Sequence, residues 1–168
     1  ITLKELYGTL SKRKIHYIPN GINLGFQPTQ ANPGSGGYLL FAAGRIIPLK
    51  GLHLLLQALN KNTFEGQLLV AGNLDHMPGY KKTIMELARP LHVEFTGLIR
   101  EKEKLLDLVA GAKLFIFPSY SENMSIMLLE VASLKTPLIC SDIPENRAIF
   151  QEDETLFFES GNGDDLAT

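Results

Sequence analysis

Cysteine is almost absent from these 168 residues. Cys140 stands alone, so no intrachain disulfide can form and a reducing compartment is expected. No apolar run approaches the roughly 20 residues of a membrane span. No signal peptide is visible in the charged, amphipathic opening ITLKELYGTLSKRK. Charge of one sign is scarce too. The formal net charge is -2, which excludes the whole-surface basic field that draws nucleic acid or anionic membrane. An anionic partner therefore needs a local site.

Several chemistries lack their residues. His16, His53, His76 and His92 show no ligand spacing, and neither D-x-D nor H-E-x-x-H occurs, so no metal site is expected. The four histidines read as ordinary polar or core residues. There is no nucleophile elbow, no G-x-G-x-x-G after a strand and no Walker-type G-K-[ST]. The cluster NPGSGG (32–37) precedes a strand, so its amides do not sit at a helix N-terminus, and it reads as linker. Cys140 falls inside a predicted strand and reads as inert.

What remains is a chain 45% apolar, enough for one compact domain and too little for two. Short apolar runs alternate with helical patterns from Tyr38 onward. Strands are predicted at 38–44, 67–72, 92–97, 113–119, 137–142 and 155–160. Helices are predicted at 52–59, 80–88, 101–111 and 123–134, with a further one starting at Asp164-Asp165-Leu166. Continuous apolar strands separated by helices imply an α/β fold: a doubly wound, Rossmann-like parallel sheet of about six strands with helices on both faces. Such sheets bind ligands at the carboxyl ends of their strands. Residues 1–37 differ: 1–10 look helical, and 14–28 is a short strand running into a loop. The division is 1–37 as interdomain remnant and linker, and 38–168 as the ligand-binding domain. The start at Ile1 rather than Met suggests a piece of something longer.

The segment 123–134, NMSIMLLEVASL, carries one charge, Glu130. A helix apolar nearly all round is buried, and a lone carboxylate there needs a partner. That partner is either structural, such as a backbone amide or a neighbouring Arg, or a ligand. Glu122 sits at the predicted helix entrance. Eight residues of helix advance about 12 Å and rotate about 80°. Glu122 and Glu130 can then accept from hydroxyls at the two ends of one extended ligand. The first-turn amides of Asn123, Met124, Ser125 and Ile126 between them favour an anion. Hydroxyls, anion, hydroxyls is the layout of a nucleotide diphosphate sugar. As a helix-dipole charge alone, Glu122 is worth about 0.3–1 kcal/mol.

A second constellation is GRIIPLKG (44–51). Gly44 allows close backbone approach and Pro48 stiffens the loop. Lys50 stands at a predicted helix start, where a cation opposes the dipole, so a bound anion is implied. Arg45 and Lys50 together match a diphosphate without a metal. A solvated Lys and an Arg paired to a carboxylate is the plainer alternative. Gly97-Leu98-Ile99-Arg100 ends the third strand, where a turn offers backbone groups to a nucleobase. Gly72-Asn73 ends the second, beside the phosphates.

These segments resemble the group 1 (family 4) glycosyltransferases. GRIIPLKGLHLLLQAL is similar to their G-R-x4-K-G segment, and PSYSENMSIMLLEVASLKTPLICSD to their P-S-x2-E-x7-E signature. VEFTGLIREKEKLLDLVAGAKLFIFPS and the linker IPNGINLGFQP are similar too, in the family's order, from about Tyr7 to Leu166. The resemblance implies the C-terminal, donor-binding half of a GT-B fold and sugar transfer with retention, with no cofactor and no essential metal. It places Arg45 and Lys50 on the diphosphate, where they stabilise the leaving group. It places Glu122 on the donor sugar, Glu130 on the ribose, Leu98 and Ile99 beside the base, and the amides of 123–126 on the phosphates.

It also implies a UDP-, GDP- or ADP-sugar as partner and an acceptor glycan or lipid held by an N-terminal domain. Polysaccharide or glycolipid synthesis follows, in the cytoplasm or at the inner membrane face, and this chain alone is expected to catalyse little. Three departures stand out. Asn123-Met124-Ser125 replaces a small-residue run, Lys135-Thr136-Pro137 lacks a common glycine, and Asn23 replaces the linker Asp. Other readings are a non-catalytic nucleotide-sugar sensor, a nucleotide-sugar epimerase or a phosphorylase on the same fold.

Overall fold

The structure is a computed structural model that describes residues 18–23, 25–29 and 37–168. The helix expected at 1–10, the strand from residue 14 and most of the glycine-rich linker lie outside the described residues. From Tyr38 the chain alternates strand and helix. β1 is Tyr38–Arg45, followed by a 3-10 turn at Pro48–Lys50 and α1, Leu52–Lys61. Then come β2 (Gln67–Asn73), α2 (Pro78–Ala88), β3 (His92–Gly97), α3 (Lys102–Gly111), β4 (Leu114–Phe117) and α4 (Ile126–Ser133). β5 (Leu138–Ser141), α5 (Pro144–Arg147), β6 (Leu156–Phe158) and α6 (Gly163–Leu166) complete the order. The six strands form one sheet in the order β3-β2-β1-β4-β5-β6, with every pairing parallel. This is the Rossmann-like doubly wound sheet expected from the apolar runs.

Both faces are covered, and the strands show it residue by residue. Leu40 and Ala42 of β1, Leu69 and Ala71 of β2, and Phe115 and Phe117 of β4 face one core. Leu106 and Val109 of α3 and Leu128 and Val131 of α4 fill that core. Phe41, Leu68, Val70 and Ile116 point the other way, onto Leu52, Leu55 and Leu56 of α1 and Ile84 of α2. The alternation is the period-2 pleat of a strand buried on both sides. Each fully buried Leu or Phe contributes about 1.5–3 kcal/mol of transfer free energy. Cys140 is fully buried in β5, and burial pushes its thiol up to about 12, so it stays protonated and unreactive.

Two boundaries differ from expectation in ways that matter. β4 ends at Phe117 instead of residue 119, because Pro118 has no N–H for the ladder. The fourth helix begins at Ile126, not Asn123. Ser125 is its N-cap, with Oγ accepting from the Leu128 N–H at 3.4 Å. Glu122 therefore lies in the preceding loop, and the eight-residue helical spacing between the two glutamates does not apply. At the other end of α4, Lys135 adopts a left-handed backbone, φ 57, to turn the chain into β5. Its N–H reaches the Ala132 carbonyl at 3.0 Å and that of Thr136 the Val131 carbonyl at 3.3 Å. Lysine in that conformation carries a steric cost that glycine lacks. Lys135→Gly should raise stability by about 0.5–1 kcal/mol, read as a higher urea midpoint at unchanged m-value. A lowered midpoint would contradict this account of the turn.

Candidate functional site

The sheet order reverses between β1 and β4, and the loops after those strands leave side by side at the carboxyl edge. The loop after β1 is anchored by buried Ile46, whose N–H donates to the Asn73 carbonyl at 2.8 Å. Pro48–Lys50 then makes one 3-10 turn, closed by Gly51 N–H to the Pro48 carbonyl at 3.0 Å. Gly51 has φ 73, and a Cβ there would lie 1.9 Å from the Pro118 carbonyl oxygen. Only glycine lets this loop touch the loop after β4. Tyr120 N–H donates to the Leu49 carbonyl at 2.9 Å and ties the two loops together.

That contact decides where the charges go. Lys50 Nζ donates to Glu122 Oε1 at 2.5 Å, with Glu122 only 10% exposed. Lys50 lies in the 3-10 turn, with Gly51 as the N-cap of α1, so it is not itself the first helical residue. The pairing supplies the partner that the misplaced cation demanded. Arg45 ends β1, exposed, and among the described residues its guanidinium has no hydrogen bond or ion pair.

At the carboxyl ends of β1 and β2, next in the chain to Arg45, lies an apolar cleft of about 210 Å³. Gly44, Gly72, Leu98 and Ile99, all singled out in the sequence, line it together, with Leu105 of α3 and Met127 of α4. A Cβ on Gly44 would meet nothing within 4 Å, so its role is open space at the cleft and not backbone packing. Gly72 is different: at φ 150, its Cβ would lie 1.9 Å from the Ala43 carbonyl oxygen.

Glu130 is buried on α4, and its Oε2 accepts from Lys102 Nζ of α3 at 2.5 Å. The partner is thus a lysine on a neighbouring helix, where a backbone amide or Arg was expected. Glu130 borders a second cavity of about 360 Å³, with Lys102, Ser133, Asn23 and Phe26 among its walls. Met127 and Glu130 are three residues apart on one face of α4, so the two cavities follow each other along the α3–α4 seam. The structure therefore joins Glu122 to Lys50 and Glu130 to Lys102 in two separate ion pairs.

The segment 123–126 also differs from expectation. Asn123, Met124 and Ser125 precede α4, so their amides do not belong to its first turn. Met124 turns onto the linker: its Sδ accepts from the Asn20 N–H at 3.1 Å, and its carbonyl from Asn20 Nδ2 at 3.1 Å. Ile126 opens the helix with an exposed side chain. Lys102, Asn20 and Met124 as partners were missed from sequence, because pairing across elements leaves no spacing signal. The lone charge on an apolar helix was the one mark that Glu130 required a cation or a hydroxyl.

The model of the group 1 glycosyl transferases matches residues 26–168, most of the chain. The chain belongs to this family. Among its group 1 relatives is the alpha-galactosylglucosyldiacylglycerol synthase of Streptococcus pneumoniae. It is 28% identical over 158 residues, covering 84% of this chain and 41% of that protein. Sucrose-phosphate synthase from Thermosynechococcus elongatus superposes with TM-score 0.78 at 26% identity, over 98% of this chain and 45% of that one. Anabaena HepE, solved in complex with UDP and glucose, gives TM-score 0.64 at 17% identity over 79% and 37% of the two chains, a likeness of fold. This chain spans less than half the length of each. Its Rossmann-like sheet matches their GT-B architecture, as the motif order implies.

The loop contact has a direct test. Gly51→Ala should cost about 1–3 kcal/mol by urea unfolding, because the left-handed backbone and the Pro118 carbonyl both resist a methyl group. Gly44→Ala should stay within about 0.5 kcal/mol of the parent. Equal effects of the two would mean that the loops are not in contact.

Proposed function

We propose that residues 38–168 are the nucleotide-sugar-binding domain of a retaining, metal-independent glycosyltransferase that moves a sugar onto a glycan or lipid-linked acceptor. The observation that carries it is an open apolar cleft bordered by Gly44, with the Arg45 guanidinium that follows it exposed and unpartnered among the described residues and the Lys50–Glu122 pair further along the same loop. A diphosphate entering the cleft mouth meets Arg45 and draws Lys50 from Glu122. Two cations then match its two charges, which is why no metal is required. Glu122, released, accepts from hydroxyls of the donor sugar.

As the glycosidic bond breaks, negative charge grows on the diphosphate. Arg45 and Lys50 then meet it as fixed positive charges, which stabilises the leaving group. The base lies against Leu98 and Ile99 in the apolar cleft. Glu130 accepts from the ribose hydroxyls, with Lys102 balancing its charge until they arrive. No organic cofactor enters this chemistry. The acceptor is held by an N-terminal domain, and the whole enzyme works in the cytoplasm or on the inner membrane face. No helix of the described residues is long and apolar enough to cross a membrane. The S. pneumoniae relative is named for glycolipid synthesis, which supports a lipid-linked acceptor.

UDP, GDP and ADP all carry the required diphosphate, and HepE was solved with UDP. Calorimetric titration with each nucleotide should show binding by at least one at millimolar concentration or below. Arg45→Ala and Lys50→Ala should each weaken it roughly tenfold or more, the loss of one charge-assisted contact. Glu130→Ala should fold and weaken binding as well. No binding by any of the three nucleotides overturns the proposal, and a Glu130→Ala chain that unfolds makes that carboxylate structural.

A further inference from the structure

Three ring side chains from three elements meet at His53, three residues along the chain from Lys50. His53 lies in the first turn of α1, Tyr80 in the first turn of α2, and Tyr120 in the loop after β4. The Tyr120 ring stacks on the imidazole, centroids 5.7 Å apart and planes 10° from parallel. Its hydroxyl is 3.2 Å from Nε2. Tyr80 meets the imidazole edge-on, with its hydroxyl 2.9 Å from Nδ1, and it also accepts the His53 backbone N–H at 3.3 Å. Both ring nitrogens are engaged, and a neutral imidazole, one donor and one acceptor, satisfies both contacts in either tautomer. Burial pulls the imidazole below its ordinary value and pushes the Tyr80 hydroxyl up to about 12, so these two groups stay neutral near pH 7.

This cluster is placed to do something the ion pair cannot. Residues 49–53 and 120–122 are tied at three points: the Leu49 carbonyl to Tyr120 N–H, His53 to Tyr120, and Lys50 to Glu122. On the reading above, a diphosphate opens the third tie by taking Lys50. The other two involve no charge that a phosphate recruits. Tyr120 is two residues from Glu122, and His53 three from Lys50. We infer that His53 is a positioning residue for the donor site: through Tyr120 it holds the Lys50 turn and the Glu122 loop together while Lys50 turns to the diphosphate. The inference rests on that nucleotide-site reading. Tyr80 fixes His53 in turn, which makes α2 the support of a loop two elements away.

UDP affinity of this chain, measured by calorimetry beside its thermal midpoint, tests the inference. Tyr120→Phe removes one oxygen and keeps the stack. His53→Phe keeps a ring and loses both nitrogens. His53→Gln returns a polar amide toward Tyr120. Both Phe variants should fold and bind UDP more weakly, Tyr120→Phe by about fivefold, the worth of one neutral hydrogen bond, and His53→Phe, which also loses the Tyr80 contact, by at least as much. Their double variant should lose little more than His53→Phe alone, since that variant already removes the bond that Tyr120→Phe removes. His53→Gln should recover affinity to within about twofold of the parent.

UDP binding by the parent with undiminished affinity in folded Phe variants overturns this inference and leaves the nucleotide site standing. An affinity loss in His53→Gln as large as in His53→Phe also overturns it. No binding of UDP, GDP or ADP by the parent overturns both the nucleotide-site reading and the inference built on it; if the parent binds GDP or ADP and not UDP, the same variants are titrated with that nucleotide and read in the same way. If His53→Phe fails to fold, Tyr120→Phe against the parent decides the matter.

Discussion

The approach of Gly51 to the Pro118 carbonyl sets the spacing of everything at the carboxyl edge of this sheet. Adjacent parallel strands β1 and β4 send their loops out side by side, and a side chain at position 51 would hold those loops apart. With hydrogen there, the Leu49 carbonyl takes the Tyr120 N–H, and a lysine of one loop reaches a glutamate of the other. The charges do not draw the loops together; the backbone does, and the charges use the result. This fits the energetics of such pairs. A largely desolvated ion pair gives little net stability, because attraction and lost hydration nearly cancel. A pair of that kind suits a site whose ligand must replace one member: phosphate and carboxylate are both oxyanions, and on the proposed function Lys50 exchanges one for the other.

Most of the fold was legible because the sheet is buried on both faces. Runs such as YLLFAAG and QLLVAG read as strands, and their alternate residues then divide between two cores. The ends were less legible. In the stretch Ser121 to Ser125, three residues are competent helix caps, and nothing local says which one the loop geometry selects. Ser125 was selected, and Glu122 passed from helix entrance to loop. α5 has four residues, Pro144–Arg147, too few for a period to show. At the site, the residues bearing charge were visible and their partners were not. Lys102 sits in EKEK and reads as a solvated helix face, and only the folded packing of α3 on α4 puts it against Glu130.

The departures from the family pattern show why a motif is best read by what its residues do. At Lys135 the commonly glycine-bearing turn keeps its left-handed backbone and bears the strain of a side chain. At Asn23 the linker carboxylate is replaced by an amide whose Oδ1 accepts the Gly25 N–H at 2.8 Å, an Asx turn that aspartate would make equally well. At Met124 a small residue is replaced by a long one, and crowding of the phosphates is the expected consequence. The side chain goes elsewhere: its sulfur takes the Asn20 N–H, and the linker comes to lie against the loop that carries Glu122. The first change keeps a conformation and the second keeps a hydrogen bond. The third exchanges open space for a contact between the linker and the site. Met124 thereby fastens residue 20 to the backbone two residues from Glu122, and a shift at residue 20 is transmitted to the loop that holds the Lys50 partner.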